Sequence, residues 1–182
     1  IWLVQFLKLH GFNPGIVSRG AGGKRHFIPY HVSALSHPTL VGDEALLLAR
    51  RTECPVVLCI RSVEAVKSLL ETYACDIVIS DDGLQHYALG RDIEVAIIDA
   101  ERQLGNQLLL PAGPLREPIS RLKTVDFVVN HGNRECLYAF YTMILIANHV
   151  VSLFDGSNKT LSDFKETTVH AVAGIGNPDR FF

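Results

Sequence analysis

Short apolar runs and amphipathic stretches alternate along the chain. The runs that predict strands are residues 14–18, 55–59, 77–80, 94–99, 126–130 and 169–173. The stretches that predict helices are residues 1–10, 44–51 and 62–73, with a loop rich in His, Pro and Ser up to about residue 39. Strands that alternate with helices favour a mostly parallel sheet with helices on both faces. The pattern therefore predicts an α/β fold.

Two aspartates follow one of the predicted strands. In "ISDDGLQH", residues 79–86, the apolar run ends directly at Asp81 and Asp82. Parallel sheets bind ligands at the carboxyl ends of their strands, and Mg²⁺ prefers hard oxygen ligands such as carboxylates. Asp-Asp-Gly is also ordinary turn chemistry. The residues alone therefore leave a metal site and a solvated turn equally open.

Four other stretches carry candidate chemistry. The glycines of "RGAGGK", residues 19–24, need either a left-handed φ or a close approach of the backbone to another group. Asp43 in "GDE" is either a helix N-cap or a general base for a hydroxyl group. The proline-rich segment 108–123 presents Arg116, which suits phosphate or carboxylate binding, or is a solvated crossover loop. "GIGNP", residues 174–178, is a weak relative of anion-binding turns.

Composition and charge narrow the possible functions. A chain of 182 residues, 48% of them hydrophobic, suits one α/β domain. A net charge of −2 and the lack of a basic run argue against a nucleic-acid partner. The four cysteines lack metal-site spacing, which fits reduced thiols. Residues 137–154 contain no charged side chain, but their β-branched and aromatic content favours buried strand over a membrane span.

The phosphate-cradling motif G-x-x-x-x-G-K-[ST] is missing from the sequence. If the aspartates serve a nucleotide, that motif should precede a helix at the start of the sheet. Residues 1–10 are such a helix, and the chain begins within it. We therefore expect the chain to be a fragment, cut at both ends, that is inactive alone.

Five motifs together carry a resemblance that spans nearly the whole chain. They are "GFNPGIVSRGAGG", "VGDEALLLARR", "VISDDGLQHYALGRDIEVAIIDAER", "LLLPAGPLREPISRLK" and "VHAVAGIGNPDRFF". In this order they resemble the tetraacyldisaccharide 4′-kinase family of lipid A biosynthesis. The resemblance implies a P-loop NTPase-like three-layer fold, with residues 1–182 forming the central and C-terminal part of a single, incomplete nucleotide-binding kinase domain.

The same resemblance implies a reaction and its residues. The family transfers the γ-phosphoryl group of ATP, with Mg²⁺, to the 4′-hydroxyl of a tetraacylated glucosamine disaccharide 1-phosphate, giving lipid IVA. Asp43 would be the catalytic base, and Asp81 and Asp82 would hold Mg²⁺ and the nucleotide. The other implied site residues are Gln85 and His86 at the nucleotide, and Arg19, Arg116 and Glu117 at the substrate. Ala21 stands where the family usually has an aromatic residue, so substrate affinity would differ here if that residue contacts the acylated sugar.

The implied partners are ATP and an acylated disaccharide lipid. The resemblance further implies peripheral contact with the cytoplasmic side of the bacterial inner membrane, no nucleic acid and no protein partner. Two alternatives remain open at this point: another P-loop enzyme acting on a small molecule, and a non-catalytic nucleotide-binding core. Use of the acylated disaccharide with ATP separates the first from the lipid kinase, and the sequence upstream of residue 1 separates the second.

Overall fold

The computed structural model describes residues 1–174. The chain divides into two compact units. The first comprises residues 1–96 and 119–127, and the second comprises residues 97–118 and those from 128 onward. The expectation of a single domain over residues 1–182 therefore stays a prediction.

The first unit follows the predicted alternation of strands and helices. Its elements are α1 (Trp2–Leu9), β1 (Pro14–Ser18), β2 (Tyr30–Val32), α2 (Pro38–Val41), α3 (Asp43–Thr52), β3 (Val56–Leu58), α4 (Ser62–Thr72) and β4 (Ile77–Ser80). β1 and β4 have the predicted bounds. β2 and α2 were not predicted, because both lie in the polar stretch that suggested a loop. A short helix, Ile119–Lys123, belongs to the same unit.

Three of the four strands of the first sheet are parallel. The strand order is β2-β3-β1-β4, with β1 parallel to both β3 and β4 and β2 antiparallel to β3. Ile16 aligns with Val56 on one side and with Ile79 on the other. β4 is an edge strand, and its residues are half-buried. The parallel alignment brings the ends of β1, β3 and β4 to one edge.

Helices cover both faces of this sheet. Alternate strand residues point to opposite faces. Ile16 and Val56 belong to a buried cluster with α1 and α3, whereas Val17 and Val57 belong to a second cluster with Leu69 of α4. Burying each such side chain contributes about 1.5–3 kcal/mol of transfer free energy. The predicted three-layer α/β fold is confirmed.

The later strands form two smaller sheets. The elements are β5 (Val95–Asp99), β6 (Phe127–His131), β7 (Tyr141–Met143), β8 (His149–Val151), β9 (Asn158–Thr160) and a short helix, Leu161–Phe164. β5, β6 and β7 pair in that order, and β8 pairs with β9 in antiparallel register. β5 and β6 cross the boundary between the two units. The described strands are thus divided among three sheets.

The uncharged segment 137–154 is not the buried strand that its composition favoured. It contains β7 and β8, and most of its large apolar side chains are exposed, among them Leu137 at 95% and Phe154 at 99%. β-propensity predicted the strands, but these strands lack a covering layer in the described chain. No helix within residues 1–174 combines the length and the apolar character needed to cross a membrane.

The prediction of a strand at residues 169–173 is wrong. The backbone there has no regular secondary structure, and Val169 and Val172 are exposed at 60% and 88%. His170, expected inside a buried strand, is exposed as well. Of the "GIGNP" turn, residues 175–178 lie outside the described part of the chain.

All four cysteines are free thiols, as predicted.

Candidate functional site

The ends of β1 and β4 place a serine beside the first aspartate of the candidate metal pair. The backbone amide of Asp81 donates to the carbonyl of Val17 at 2.9 Å, which continues the parallel ladder past the end of β4. The Ser18 hydroxyl donates to Asp81 Oδ2 at 3.5 Å. Asp81 directly follows β4, so it lies at the carboxyl edge of the sheet. It is half-buried there.

A tight turn follows and leaves the second aspartate exposed. Asp82 has a left-handed φ of 48°, a conformation that aspartate tolerates better than most residues. A Cβ at Gly83 would lie 2.3 Å from Ser80 Oγ and 2.8 Å from Ser80 Cβ, so any other residue there would force the turn to shift. The amide of His86 donates to the carbonyl of Gly83 at 2.9 Å. The turn reading is correct, and it is compatible with the metal reading because Asp82 reaches solvent.

His86 lies in a narrow recess at this edge. Its Nδ1 lies 2.8 Å from the hydroxyl of Ser62, the first residue of α4. Burial and, after it, the positive charge of Arg19 lower the pKa of His86, whereas Asp82 opposes this shift. Arg19, Asp82 and His86, three residues predicted to belong to one site, therefore lie within electrostatic range of one another.

An arginine that the sequence did not single out supports the aspartate loop. Arg91 Nη1 donates to the carbonyls of Gly83 at 3.1 Å and Leu84 at 2.8 Å. Its Nε lies 3.1 Å from Glu94 Oε1, and that carboxylate also accepts a 2.5 Å hydrogen bond from Arg121. The hydrogen bond from Arg121 lowers the pKa of Glu94. Arg91 thereby connects the loop after β4 to the ion pairs that Glu94 forms with Arg91 and Arg121.

The glycine-rich loop after β1 packs against the chain that leads into α3. Gly20 and Gly22 have φ of 73° and 80°, and a Cβ at Gly23 would lie 2.6 Å from the backbone nitrogen of Gly42. Lys24 N donates to the carbonyl of Leu40 at 3.0 Å. Both reasons for glycine that the sequence allowed are therefore present, and the group approached is the protein's own backbone.

This contact brings the start of α3 next to the glycine-rich loop. Asp43 is the first helical residue, and its side chain is exposed. The N-cap position belongs to Gly42, with φ of 83°, so Asp43 is not the N-cap that the sequence suggested. As a first-turn carboxylate it still interacts favourably with the helix dipole. Its carboxylate is available for chemistry beside the loop that starts at Arg19.

We expect Gly23→Ala to destabilise the protein by about 1–3 kcal/mol, the usual cost of overpacking. The added methyl group would meet the backbone of Val41 and Gly42 at 2.6 Å, which no side-chain rotation relieves. The free energy of unfolding from urea titration measures the effect. Gly90→Ala is the matched control, because a Cβ there has no heavy atom within 4 Å. Equal stability of the two variants would contradict the packing role.

Two predicted substrate residues belong to the second unit. Arg116 is exposed and Glu117 is half-buried, just after a β-bridge between Leu109 and Leu115. The first unit contains the other predicted site residues, which are Arg19, Asp43, Asp81, Asp82, Gln85 and His86. The predicted site residues are thus divided between the two units, and their common role stays a prediction.

The oxygen atoms near the end of β1 and β4 fit a magnesium ion. Within residues 1–174 no cluster of three or more His, Cys, Asp or Glu side chains could hold a metal by itself. Mg²⁺ does not need such a cage, since it commonly takes one or two carboxylates and completes its shell with phosphates and water. Asp81, Asp82 and the Ser18 hydroxyl are hard oxygen donors of this kind.

Ser18 and Ser62 are site residues that sequence reasoning missed. Ser18 ends β1, and Ser62 follows β3 at the start of α4. The rule that pointed to Asp81, that polar residues after parallel strands gather at one edge, applies equally to both serines. The sequence did not indicate them, because serine is frequent in loops and does not stand out after a strand.

The fold defines an α/β protein, and its candidate site lies at the carboxyl ends of parallel strands, where such sheets bind ligands. The family described as tetraacyldisaccharide-1-P 4′-kinase, LpxK, matches residues 1–182. This chain therefore belongs to that family, which confirms the resemblance drawn from its motifs.

Individual relatives agree with the family match. Tetraacyldisaccharide 4′-kinases of Nitrosococcus oceani and Coxiella burnetii strain RSA 331 are both 52% identical over the whole chain, which covers 53% and 52% of their lengths. The Histophilus somni protein is 44% identical over the whole chain, which covers 55% of it. The chain thus spans about half the length of these curated relatives.

A solved structure shares the fold. The crystal structure of LpxK from Aquifex aeolicus in complex with ATP aligns with a TM-score of 0.69 and 24% identity. The alignment covers 91% of this chain and 55% of that one. At this identity the likeness shows the α/β fold alone.

Proposed function

We propose that the full-length protein containing this chain is an ATP-dependent kinase. Its acceptor is the 4′-hydroxyl of a tetraacylated glucosamine disaccharide 1-phosphate, and its product is lipid IVA. The observation that carries the proposal is the identity of 52% to a tetraacyldisaccharide 4′-kinase over the whole of this chain. The geometry of the strand ends, with Asp81 beside Ser18 and Asp82 on the turn that follows, supports it.

The nucleotide phosphates are proposed to lie at the carboxyl edge of the first sheet. Asp81, held beside Ser18, and Asp82, on the turn that follows, would bind Mg²⁺. When bound, the ion would neutralise charge on the phosphoryl group during transfer. Arg19 lies within electrostatic range of this loop and adds positive charge where negative charge develops. Gln85 and His86 would line the same cleft.

Asp43 is proposed as the base for the acceptor hydroxyl. It is exposed at the start of α3, and Gly42 before it touches the loop that begins at Arg19. Removing or orienting the hydroxyl proton readies the oxygen for attack on phosphorus. Arg116 and Glu117 are proposed to contact the substrate, because a guanidinium in a proline-stiffened loop suits bidentate binding of a phosphate.

The direct test uses full-length protein, γ-labelled ATP, Mg²⁺ and tetraacyldisaccharide 1-phosphate. We expect label to move to the lipid in proportion to enzyme, and to be lost from the product on treatment with a phosphatase. Transfer to a small molecule but not to the lipid would favour another kinase. ATP binding without transfer to any acceptor would favour a non-catalytic core.

We also propose peripheral membrane contact through the loop that precedes β2. Phe27 and Ile28 are 68% and 79% exposed, and Lys24 and Arg25 beside them are exposed too. The loop is tied to the sheet edge, since Ile60 N donates to the carbonyl of His26 at 2.9 Å. Apolar tips flanked by basic residues suit an anionic bilayer surface, where each cation contributes about 1 kcal/mol.

Replacing both apolar tips, Phe27→Ser with Ile28→Ser, should weaken binding of full-length protein to anionic vesicles by at least about tenfold. Inserting a Phe or Ile side chain is worth about 1.5–3 kcal/mol when it is fully buried, so this is a conservative figure. Vesicle co-sedimentation measures it. Leu70→Ser is the matched control, an exposed leucine on α4 at 49%. Unchanged binding of the double variant would exclude this loop as the contact.

A further inference from the structure

Ser62 and His86 form a hydrogen-bonded pair that links two strand ends. The Ser62 hydroxyl lies 2.8 Å from His86 Nδ1. Ser62 begins α4 after β3, whereas His86 belongs to the loop after β4. Both side chains line the recess that also contains Ser18 and Ser80. The pair thus fixes a titratable ring beside the proposed phosphate site.

The hydrogen bond determines which ring atom meets a ligand. Because Nδ1 is engaged by Ser62, Nε2 is the nitrogen left for a bound molecule. A serine hydroxyl can donate to Nδ1, and the neutral ring then carries its proton on Nε2. Burial and the charges of Arg19 and Arg91 favour the neutral ring, against the opposing charge of Asp82. Phosphate oxygens accept hydrogen bonds, so an Nε2–H group suits them.

We propose that Ser62 is a positioning residue for the nucleotide. Its hydroxyl holds His86 in the Nε2–H tautomer, and Nε2 donates a hydrogen bond to a phosphate oxygen of ATP. This inference rests on the proposed function for the identity of the ligand. Neither the family match nor the sequence motifs point to Ser62, which is assigned on its contact with His86 alone.

The same helix provides a matched control. Ser68 Oγ lies 3.0 Å from Nε2 of His31, whose Nδ1 lies 3.2 Å from the Tyr73 hydroxyl. This is a second serine–histidine pair on α4, and it involves β2 and not the loop that carries the aspartates. Ser68→Ala therefore removes an equivalent hydrogen bond without touching His86.

The kinetic test compares Ser62→Ala, Ser62→Thr and Ser68→Ala in full-length protein. We expect Ser62→Ala to raise KM and Kd for ATP about fivefold, the effect of one lost hydrogen bond, with kcat changed less than about twofold. Ser62→Thr keeps the hydroxyl and should stay near wild type, as should Ser68→Ala. An increase for Ser62→Ala no larger than that for Ser68→Ala would overturn the proposal.

A spectroscopic test reads the tautomer directly. Long-range ¹H–¹⁵N spectra of protein labelled at histidine nitrogen should show His86 with a protonated Nε2 and a bare Nδ1, with His86→Gln used to assign the signal. In Ser62→Ala the two tautomers should mix, whereas in Ser68→Ala they should not. A protonated Nδ1 in the wild-type protein would refute the assigned tautomer.

Two replacements of His86 give a third reading. The amide nitrogen of glutamine reaches the position of Nε2, and that of asparagine reaches the position of Nδ1. His86→Gln should therefore keep more ATP affinity than His86→Asn, and the reverse order would count against the proposal. If the protein binds ATP with this dependence on Ser62 but never phosphorylates the lipid, the proposed function fails and the present inference stands. Absence of ATP binding overturns both.

Discussion

Asp43→Asn should lower turnover by about two to four orders of magnitude, the range by which a positioned general base accelerates a reaction. Asparagine keeps the shape of the side chain but cannot accept the hydroxyl proton. Because Asp43 is exposed on the first turn of α3 and lies away from the core, ATP affinity should change little. Initial rates with the acylated disaccharide and calorimetric ATP binding measure the two quantities.

Glu44→Gln provides the control for Asp43→Asn. Glu44 is the next residue of the same first turn and is also exposed, so both variants remove one negative charge near the positive end of the helix dipole. That shared loss is worth about 0.3–1 kcal/mol of stability. Glu44→Gln should nevertheless keep a rate near wild type. A comparable rate for Asp43→Asn would remove Asp43 as the base.

Asp81→Asn should reduce kcat by about 10²–10³-fold and raise the Mg²⁺ concentration needed for half-maximal rate. This reduction in kcat is the usual effect of losing one group that stabilises charge in the transition state. The backbone of Asp81 is held by Val17 and its carboxylate lies beside Ser18, so the substitution changes charge with little change in position. Initial rates over a magnesium titration at fixed ATP separate the two effects.

Asp92→Asn tests whether charge alone explains that result. Asp92 is an exposed aspartate in the same connection between β4 and β5, and its loss changes the net charge equally. We expect an unaltered magnesium dependence for this variant. If Asp81→Asn shows the same dependence as Asp92→Asn, the metal role assigned to Asp81 is wrong.

The central strands were predictable because local pattern and burial agree there. β1 was predicted at residues 14–18 and found as Pro14–Ser18, an apolar run paired on both sides. β2 was not predicted, because it has three residues and pairs only with β3. So short a strand shows no alternation of apolar and polar residues that could indicate it. At residues 169–173 a strand was predicted and none is found, since β-branched residues do not form a strand without a partner.

The candidate site was only partly predictable for a similar reason. Asp81 and Asp82 stand out because they interrupt an apolar run, and Asp43 because it precedes a helix. The contact of Ser62 with His86 joins the start of α4 to the loop after β4, and it depends on strand order, which the alternation of elements does not specify. Arg91 binds Gly83 within the connection between β4 and β5, and no motif in the sequence marks that contact.

The packing of the glycine-rich loop against Gly42 has a consequence for how variation in this family is understood. Gly23 and Gly42 are each required by the opposite segment: a Cβ on Gly23 would collide with the backbone of Val41 and Gly42, and a Cβ on Gly42 would lie 2.3 Å from the carbonyl oxygen of Ala21. Selection at both positions would therefore preserve glycine even if no ligand ever touched them. Invariance there would record the geometry of two converging chain segments, and it should not be counted as evidence for a phosphate-binding loop.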